Sequence, residues 1–200
     1  MKERILFARV DNFDYYDVKN ISEDEKETEN KKRRPTSRKE TYEHNNFHKW
    51  DGGVYKGFFE PCHKKKEFKD DPDKYWKHLH LDRIDDKFKN KTEIDDVLII
   101  FCTKLNDKNI KKLHIVGWYE HSKLWSVPQL HNGVDLKEEA YNCQTKQKYG
   151  VLLNKEEIKR ERKTLWVPWA NKKKAQVGFG RSWFWYAKEN KRYEGRIFAG

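Results

Sequence analysis

Aromatic side chains are the residues of this sequence with the clearest chemistry. The 200 residues include 8 Trp, 10 Tyr and 11 Phe, and eight tryptophans exceed what the core of one small domain needs. Rings outside a core can stack on a nucleobase, although any single ring of this set can instead be a core residue. The candidates for a cage of rings around a base are Trp118, Tyr119, Trp125, Trp183, Trp185, Trp50 and Tyr55. Because neighbours on a strand face opposite ways, only one of Trp118 and Tyr119 can enter such a cage.

Positive charge is the second feature that points to nucleic acid. Lys and Arg total 44 against 33 Asp and Glu, and the net charge of +11 attracts polyanions of any sequence. The same lysines can also form a solvated surface. The candidates for phosphate contacts are Lys31, Lys32, Arg33, Arg34, Lys172, Lys173, Lys174, Arg181, Lys188, Lys191 and Arg192. The candidates for reading the edge of a base, which can also be turn or cap residues, are Asp11, Asn12, Asp51 and Ser182.

The motifs of the chain do not indicate catalysis. The sequence lacks a phosphate-binding GxxxxGK(S/T) loop, a GxGxxG after a strand and a GxSxG nucleophile elbow. Cys62, His63, His78 and His80 are possible zinc ligands, but no CxxC is present and the last two alternate along a predicted strand. Cys102 lies in an apolar segment and is predicted to be an inert core thiol. We therefore expect a binding module rather than an enzyme, with no cofactor and no metal.

The elements that must position these residues are mainly β-strands. Alternation and β-branched runs predict strands at residues 4–10, 54–59, 78–84, 97–102, 113–119, 123–127, 141–144, 150–153 and 165–169. Segments 97–102 and 113–119 are expected to pair as a hairpin. Helices are predicted at 71–76, at 156–163 and, capped by Ser182, over 182–186. Because no βαβ alternation is present, the pattern predicts an α+β fold with a compact barrel.

One domain, residues 1–200, is predicted, because single domains usually have about 100–200 residues. Residues 19–45 are highly charged and are expected to form a flexible insertion. No apolar run approaches the roughly 20 residues that span a bilayer, and no signal-peptide segment follows Met1. Three widely spaced cysteines argue against a disulfide framework. Together these features predict a cytoplasmic protein.

Several segments resemble a known family. They are GVYKGF at residues 53–58, VLIIF at 97–101, IVGWYEHSKLW at 115–125 and GFGRSWFWY at 178–186. The series resembles the EVE, YTH and ASCH modules of the PUA-like superfamily, which are found at the N-terminus of HNH-linked and McrBC-type modification-dependent restriction proteins. The resemblance implies a PUA-like twisted β-barrel of about six to eight strands with a few short flanking helices. Trp183 stands where the family pattern usually has Asn.

The resemblance implies a sensor of modified bases. Such a module binds double-stranded DNA containing N6-methyladenine or a methylcytosine and flips that base into an aromatic cage. The implied setting is a type IV restriction system for phage defence. The implied partner is a nuclease subunit or a fused HNH or AAA+ GTPase domain, and no membrane is expected. The alternative is a YTH/PUA-type RNA-binding module that reads methylated RNA.

A metal-dependent nuclease is the third hypothesis. Paired carboxylates can hold Mg²⁺, and adjacent aspartates occur at residues 70–71, 85–86 and 95–96. Each pair lies beside lysines in a predicted turn. Loop charge in contact with solvent explains these pairs better, and they do not assemble a catalytic centre.

Overall fold

Among the residues that the structure describes, segments rich in β-branched and aromatic residues form nine strands. The computed structural model describes residues 4–10, 46–47, 49–59, 61, 76–103, 112–130, 140–154, 157–158, 160, 165–168 and 184–187. The strands are β1 (Ile5–Arg9), β2 (Lys49–Trp50), β3 (Val54–Gly57), β4 (Glu93–Thr103), β5 (Lys112–Leu130), β6 (Ala140–Lys146), β7 (Gly150–Leu152), β8 (Trp166–Pro168) and β9 (Phe184–Tyr186). They belong to one sheet in the order β2-β3-β6-β5-β4-β1-β9, with β7 and β8 also paired to β5. No described pairing joins β2 to β9, so this part of the chain forms an open sheet.

Strand β5 is central, because its 19 residues pair with strands on both sides. Strand β4 lies antiparallel along one edge, from the pair Glu93–Trp125 to the pair Thr103–His114. Along the other edge β8, β7 and β6 each pair with a different stretch of β5. Strand β1 runs parallel to β4 on its far side, and β9 pairs antiparallel with β1. The two ends of β5 therefore lie in different parts of the same sheet.

Most predicted strands are confirmed, including the hairpin of 97–102 with 113–119, which is the antiparallel pair β4–β5. The exact extent of β5 differs from the prediction. Two strands were expected at 113–119 and 123–127, whereas the chain is extended from Lys112 to Leu130. Pro128 does not end the strand, because it lies where five residues of β5 correspond to two of β6. Proline has no backbone N–H, and it is tolerated in such an irregular stretch because some residues there make no ladder hydrogen bond.

The helix predicted over residues 182–186 is wrong. Phe184–Tyr186 is strand β9, which pairs antiparallel with β1. This pairing buries Trp185 against Phe7, with ring centroids 4.9 Å apart. Tertiary packing of this kind outweighs a local capping signal such as that of Ser182.

The strand predicted over residues 78–84 is also wrong, since the segment contains the 3₁₀-helix Leu81–Arg83. Leu79 and Leu81 are buried while His80 is exposed, so the alternation in the sequence does report burial. The Leu79 N–H donates to the Ser126 carbonyl at 2.7 Å and the His80 N–H to the Tyr186 hydroxyl at 2.9 Å. The N–H groups of Leu81, Arg83 and Ile84 bond within the segment. No ladder of hydrogen bonds forms, and the backbone turns instead.

Helical structure is limited within the described ranges. Three 3₁₀-helices are found at Leu81–Arg83, Asp86–Phe88 and Gln147–Tyr149. Residues 157, 158 and 160 of the predicted helix 156–163 are helical, and Asn154 and Glu157 each accept the other's backbone N–H in a capping box. The described part of the chain is therefore mostly β.

Two expectations fall largely outside the described residues. The predicted helix at 71–76 is described only at Trp76, and the charged segment 19–45 is not described. Among the described residues, no helix has the length and apolar character needed to cross a membrane.

Buried side chains form a cluster on each face of the sheet. On β1, Leu6 and Ala8 belong to the first cluster and Phe7 belongs to the second, because side chains alternate along a strand. The first cluster is the larger one and contains Tyr119; its side of the sheet is called the inner face. The second contains Trp185 and lies on the outer face. The sheet therefore separates two groups of aromatic residues.

Candidate nucleic-acid interface

Four rings pack together on the inner face and form the inner aromatic cluster, which comprises Phe47, Tyr55, Phe101 and Tyr119. The rings of Phe47 and Phe101 each meet Tyr119 edge-on, with centroids 4.9 Å apart. Tyr55 stacks on Tyr119 at 5.9 Å, with 12° between the planes. The Tyr119 hydroxyl accepts a hydrogen bond from the Phe47 N–H at 2.8 Å. Tyr119 is 0% exposed, so it has no surface left for a base in this arrangement.

Glycines on neighbouring strands make room for these rings. A Cβ atom at Gly57 would lie 2.9 Å from the Tyr119 ring, closer than real Cβ atoms approach other atoms. A Cβ atom at Gly150 would overlap the Tyr55 ring. Any side chain at either position would displace a ring of the inner aromatic cluster. The cluster is therefore a packed part of the core, and the half-buried Tyr55 is one of its walls.

Two further cage candidates contact the second cluster. Trp185 is 6% exposed and stacks on Phe7 with 28° between the ring planes. Trp118 is half-buried, and its indole N–H donates to the Glu120 carboxylate at 3.1 Å. Trp118 and Tyr119 lie on opposite faces of β5, as alternation predicts. Of these residues, Trp118 keeps the larger exposed surface.

A separate group of half-buried side chains lies on the outer face at the other end of β5. This outer aromatic face comprises Trp50, Lys56, Lys123, Trp125 and Tyr141. Trp125 meets Tyr141 edge-on, with centroids 5.4 Å apart. The Lys56 Nζ lies 4.6 Å from the ring centroid of Tyr141 and 5.1 Å from that of Trp50. The Lys123 Nζ lies 5.7 Å from the centroid of Trp125, so contacts between rings and ammonium groups connect the set.

Cross-strand pairing aligns the two lysines. Gln144 of β6 pairs with Lys56 of β3 on one side and with Lys123 of β5 on the other. Neighbouring strands lie about 4.8 Å apart, so these three polar residues form one row across the sheet. The adjacent pair, Cys143 and Leu124, belongs to the inner cluster of buried residues. Successive residues of these strands therefore face opposite sides, one towards a polar, aromatic surface and the next towards the closed core.

Charges on β4 hold Lys123 in place. Its Nζ donates to the Glu93 carboxylate at 2.9 Å and lies 3.8 Å from that of Asp95. The hydrogen bond with Glu93 raises the pKa of Lys123, which is therefore protonated at neutral pH. Burial raises the pKa of the Tyr141 hydroxyl, which is therefore neutral. The outer aromatic face thus combines an ion-paired Lys123 with uncharged rings that can stack on bases.

Exposed lysines lie on a short loop next to this surface. The basic loop, residues 87–91, contains Lys87, Lys89 and Lys91. The Ser126 N–H donates to the Thr92 carbonyl at 2.7 Å, and these residues directly follow Trp125 and Lys91 in the chain. The end of the basic loop is therefore fixed beside Trp125.

An ion pair fixes the start of the basic loop. Arg4 donates to the Asp85 carboxylate from Nε at 3.1 Å and from Nη2 at 2.9 Å. Asp85 also accepts the Lys87 N–H at 3.2 Å. The Lys87 N–H and then Arg4 lower the pKa of Asp85 below its ordinary value. Phe88 packs against the first cluster of buried residues. The Arg4 guanidinium carbon lies over the Phe88 ring, 4.9 Å from its centroid.

All but one of the remaining sequence-derived candidates lie outside the described residues. Those outside are Trp183, Asp11, Asn12, Ser182, Lys31, Lys32, Arg33, Arg34, Lys172, Lys173, Lys174, Arg181, Lys188, Lys191 and Arg192. Asp51 is exposed in the turn between β2 and β3, where Gly52 and Gly53 have positive φ. Of the described cage candidates, Trp50 and Trp125 lie on the outer aromatic face.

The sequence pattern does not identify Tyr141 or Lys56. Alternation from the buried Cys143 assigns Tyr141 to the inner face, whereas its contacts with Trp125 and Lys56 place it on the outer one. The register shift between β5 and β6 accompanies this break in alternation. The basic loop carries a signal that was available, since a lysine at every second position of residues 87–91 marks an exposed basic strip.

Other reactive groups do not form a catalytic centre in the described parts of the chain. Cys102 is buried, and burial raises its pKa, in agreement with the predicted core thiol. Asp95 and Asp96 lie in strand β4 rather than in the predicted turn. Asp96 and His121 both have positive φ and hydrogen-bond to each other at 2.7 Å. Within the described ranges, no group of three or more His, Cys, Asp or Glu residues could hold a metal ion.

The chain was compared with known proteins at three levels. No protein-family model, no curated protein and no solved structure matches it. Function is therefore inferred from the outer aromatic face and the basic loop.

Proposed function

We propose that this protein binds nucleic acid through unpaired bases that stack on the outer aromatic face. The observation that carries the proposal is the connected set of Trp50, Tyr141 and Trp125 with Lys56 and Lys123 between and beside the rings. Half-exposed rings interleaved with ammonium groups suit bases and phosphates together. The formal net charge of +11 supports a polyanionic partner.

Stacking and charge both contribute to the expected free energy of binding. Each base stacked on a ring contributes about 1–3 kcal/mol. The basic loop beside Trp125 adds ammonium groups for the phosphates of the same strand. Each phosphate contact makes the logarithm of the binding constant fall with the logarithm of salt by about 0.7 for a single strand. Binding is therefore expected to weaken steeply as salt is raised.

The leading form of this proposal is a sensor of modified DNA. In it, the unpaired base is N6-methyladenine or a methylcytosine flipped out of a duplex, and flipping costs a few kcal/mol that stacking recovers. The resemblance to EVE, YTH and ASCH modules motivates this form, together with a PUA-like barrel and a role in type IV restriction beside a nuclease or motor domain. In this form the protein itself is a cytoplasmic binding module rather than an enzyme. The alternative form is a reader of single-stranded, methylated RNA.

A panel of labelled ligands tests the proposal. Fluorescence anisotropy should compare duplexes that differ only in one methylated base with single-stranded DNA and RNA of the same sequence, at two salt concentrations. The modified-DNA form predicts that the methylated duplex binds more tightly than the unmethylated one by several-fold. Preference for single-stranded RNA would instead favour the alternative form. Absence of binding to every ligand at low salt would contradict the proposal itself.

A pair of variants tests the assigned surface. The double variant Trp125→Ala with Tyr141→Ala removes two neighbouring rings, and we expect at least a tenfold loss of affinity, since each stacked base contributes about 1–3 kcal/mol. The matched control is Trp118→Ala, which removes a half-buried tryptophan of the same strand that packs against the second cluster. If the control loses affinity and the double variant does not, the bases bind elsewhere.

A further inference from the structure

Two neighbouring irregularities of the sheet bring an aspartate and a histidine together across β4 and β5. The register of these strands shifts on each side of the pair Val97–Ser122. Asp96 comes just before Val97 and His121 just before Ser122, and their φ angles are positive, 59° and 47°. Both side chains are exposed, and Asp96 Oδ1 lies 2.7 Å from His121 Nδ1. The two bulges therefore place a carboxylate and an imidazole in contact at the surface.

The residue types at these bulges are not the ones that the backbone alone favours. Glycine adopts a positive φ at the lowest cost, and bulges of this conformation are usually built with glycine. Asp and His tolerate a positive φ better than most side chains do, but both positions carry a side chain that glycine would lack. Bulges that re-aim a side chain are common beside functional sites. The pair Asp96–His121 is therefore a candidate for ligand contact.

The imidazole of His121 is held from two sides. Asp96 of β4 engages it on one side, and on the other the ring of Tyr149, just before β7, lies 4.8 Å away with 66° between the planes. A carboxylate partner requires the proton of a neutral ring to be on Nδ1, so Nε2 carries the lone pair. His121 therefore presents a hydrogen-bond acceptor in a fixed orientation.

A positive charge lies beside this acceptor. The Nζ of Lys148 is 4.7 Å from the ring centroid of Tyr149, and the side chain is exposed. The two neighbouring carboxylates are already engaged, that of Asp96 by His121 and that of Glu120 by the indole N–H of Trp118 at 3.1 Å. Lys148 is therefore the group of this site that suits a phosphate.

The site adjoins the outer aromatic face. The carboxylate of Asp95, the neighbour of Asp96, lies 3.8 Å from the Nζ of Lys123, which belongs to that face. His121 and Trp125 are four residues apart on β5, or about 13 Å at roughly 3.3 Å per residue. A strand whose bases stack on Trp125 can therefore place a further nucleotide at His121.

We propose that His121, Lys148 and Tyr149 form a second nucleotide site, in which His121 Nε2 accepts a hydrogen bond from the exocyclic amino group of an unpaired base. Lys148 contacts a phosphate of the same strand. Adenine, cytosine and guanine carry an exocyclic amino group, whereas thymine does not. The site therefore selects for bases with an amino group. This inference rests on the proposed function and adds to it a second position and a base preference there.

Homopolymeric DNA strands test the acceptor. Anisotropy compares labelled ten-nucleotide strands of deoxyadenosine, deoxycytidine and thymidine on wild type and His121→Gly at about pH 8, where histidine side chains are ordinarily neutral. Glycine keeps the positive φ of this position. We expect about a fivefold loss of affinity for the adenine and cytosine strands, from one lost hydrogen bond, and less than about twofold for the thymine strand.

Two further variants complete the test of His121. His121→Asn also tolerates a positive φ and ends short of the Nε2 position, so the same pattern is expected if the glycine variant does not fold. The matched control is His80→Ala, which removes another exposed histidine, one whose Nδ1 lies 3.8 Å from the Asp82 carboxylate. It should leave all three affinities within about twofold. Urea denaturation identifies which variants are folded at the assay temperature.

Lys148→Gln tests the phosphate contact. It should weaken binding of all three strands by a similar factor, because phosphate is common to them. The slope of the logarithm of the binding constant against the logarithm of salt should fall by about 0.7, which is one contact on a single strand. An unchanged slope would exclude Lys148 from contact with phosphate and contradict the site as proposed.

The outcomes separate this inference from the proposed function. If wild type binds and the variants of His121 lose the same factor on all three strands, or lose none, then the amino group is not read and the inference is wrong. The proposed function then still stands if Trp125→Ala with Tyr141→Ala loses affinity. If wild type binds none of the strands at low salt, the proposed function fails and the inference with it.

Discussion

The inner aromatic cluster and the outer aromatic face both contain aromatic rings and both draw residues from β3 and β5, but their surroundings differ. Tyr55 and Lys56 are neighbours on β3, yet Tyr55 stacks on the buried Tyr119 and Lys56 contacts Tyr141 on the opposite face. Inner rings are enclosed by other rings and by strand glycines. Outer rings contact ammonium groups and remain half-exposed. The surroundings of a ring, and not its type, decide whether it stabilises the fold or is available to a ligand.

Removal of the central inner ring is expected to have the largest effect. Tyr119→Ala leaves a cavity among Phe47, Tyr55 and Phe101, and should lower the free energy of unfolding by about 3–5 kcal/mol. Urea denaturation, monitored by tryptophan fluorescence, measures this free energy of unfolding. Trp125→Ala is the comparison on the outer face and should cost at most about 1.5 kcal/mol, because the ring is already half-exposed. Equal losses of stability in the two variants would contradict the assignment of Tyr119 to the core and Trp125 to the surface.

The second prediction concerns two rings of one hairpin. Trp50→Ala should weaken nucleic-acid binding by about 5- to 150-fold, equivalent to the 1–3 kcal/mol of one stacked base. Tyr55→Ala should instead reduce stability and leave the affinity of the folded protein within about twofold, because Tyr55 stacks on Tyr119. Titration of a labelled strand well below the unfolding temperature of each variant measures the affinity. A larger loss of affinity for Tyr55→Ala than for Trp50→Ala would indicate that the base binds on the inner face.

The third prediction tests a single polar contact of the inner aromatic cluster. Tyr119→Phe removes the hydroxyl that accepts the Phe47 N–H at 2.8 Å. An N–H left without its partner in a partly buried position should lower the free energy of unfolding by about 1–2 kcal/mol. Nucleic-acid affinity should not change, since the ring remains. Thermal and urea denaturation measure the first effect, and unchanged stability would show that solvent replaces the hydroxyl.

The fourth prediction tests the contribution of positive charge to binding without changing any aromatic ring. Replacement of Lys87, Lys89 and Lys91 by Gln should reduce affinity most at low salt, and the loss should shrink as salt is raised. The slope of binding against salt should fall by about 2, which is three phosphate contacts at about 0.7 each. Stability should be unchanged, because all three side chains are exposed. An unchanged slope would exclude the basic loop from the interface.

The smallest expected effect concerns the ion pair that holds the basic loop. Asp85→Asn should lower the free energy of unfolding at pH 7 by less than about 1 kcal/mol, because the Arg4–Asp85 pair is partly exposed. The pKa of Asp85 is lowered in the folded protein, so its contribution is present above the ordinary value of 3.8 and is lost as the pH falls through the lowered value. Urea denaturation of wild type and variant from pH 7 to pH 2.5 should therefore converge at the acid end. A difference that grows towards low pH would contradict the assigned sign.

Much of the strand content could be predicted from local pattern. Residues 97–102 and 113–119 are apolar and β-branched, and they form the paired strands β4 and β5. The failures share one cause, which is that burial does not specify hydrogen-bond partners. Leu79 and Leu81 alternate with exposed histidines but belong to a turn, and Trp185 lies in an edge strand although its neighbours favour a helix. In both cases contacts with distant residues decide the backbone.

Composition and period-two alternation are local properties, so they predict an aromatic-rich, basic chain, most of its strands and the opposite orientation of Trp118 and Tyr119. Which rings are enclosed depends on contacts between distant strands. Strand pairing places Tyr55 against Tyr119, and a register shift of several residues brings Tyr141 beside Trp125 and Lys56. Register is set by the packing of the whole sheet and by its irregularities, so no local pattern could have assigned these rings to their faces.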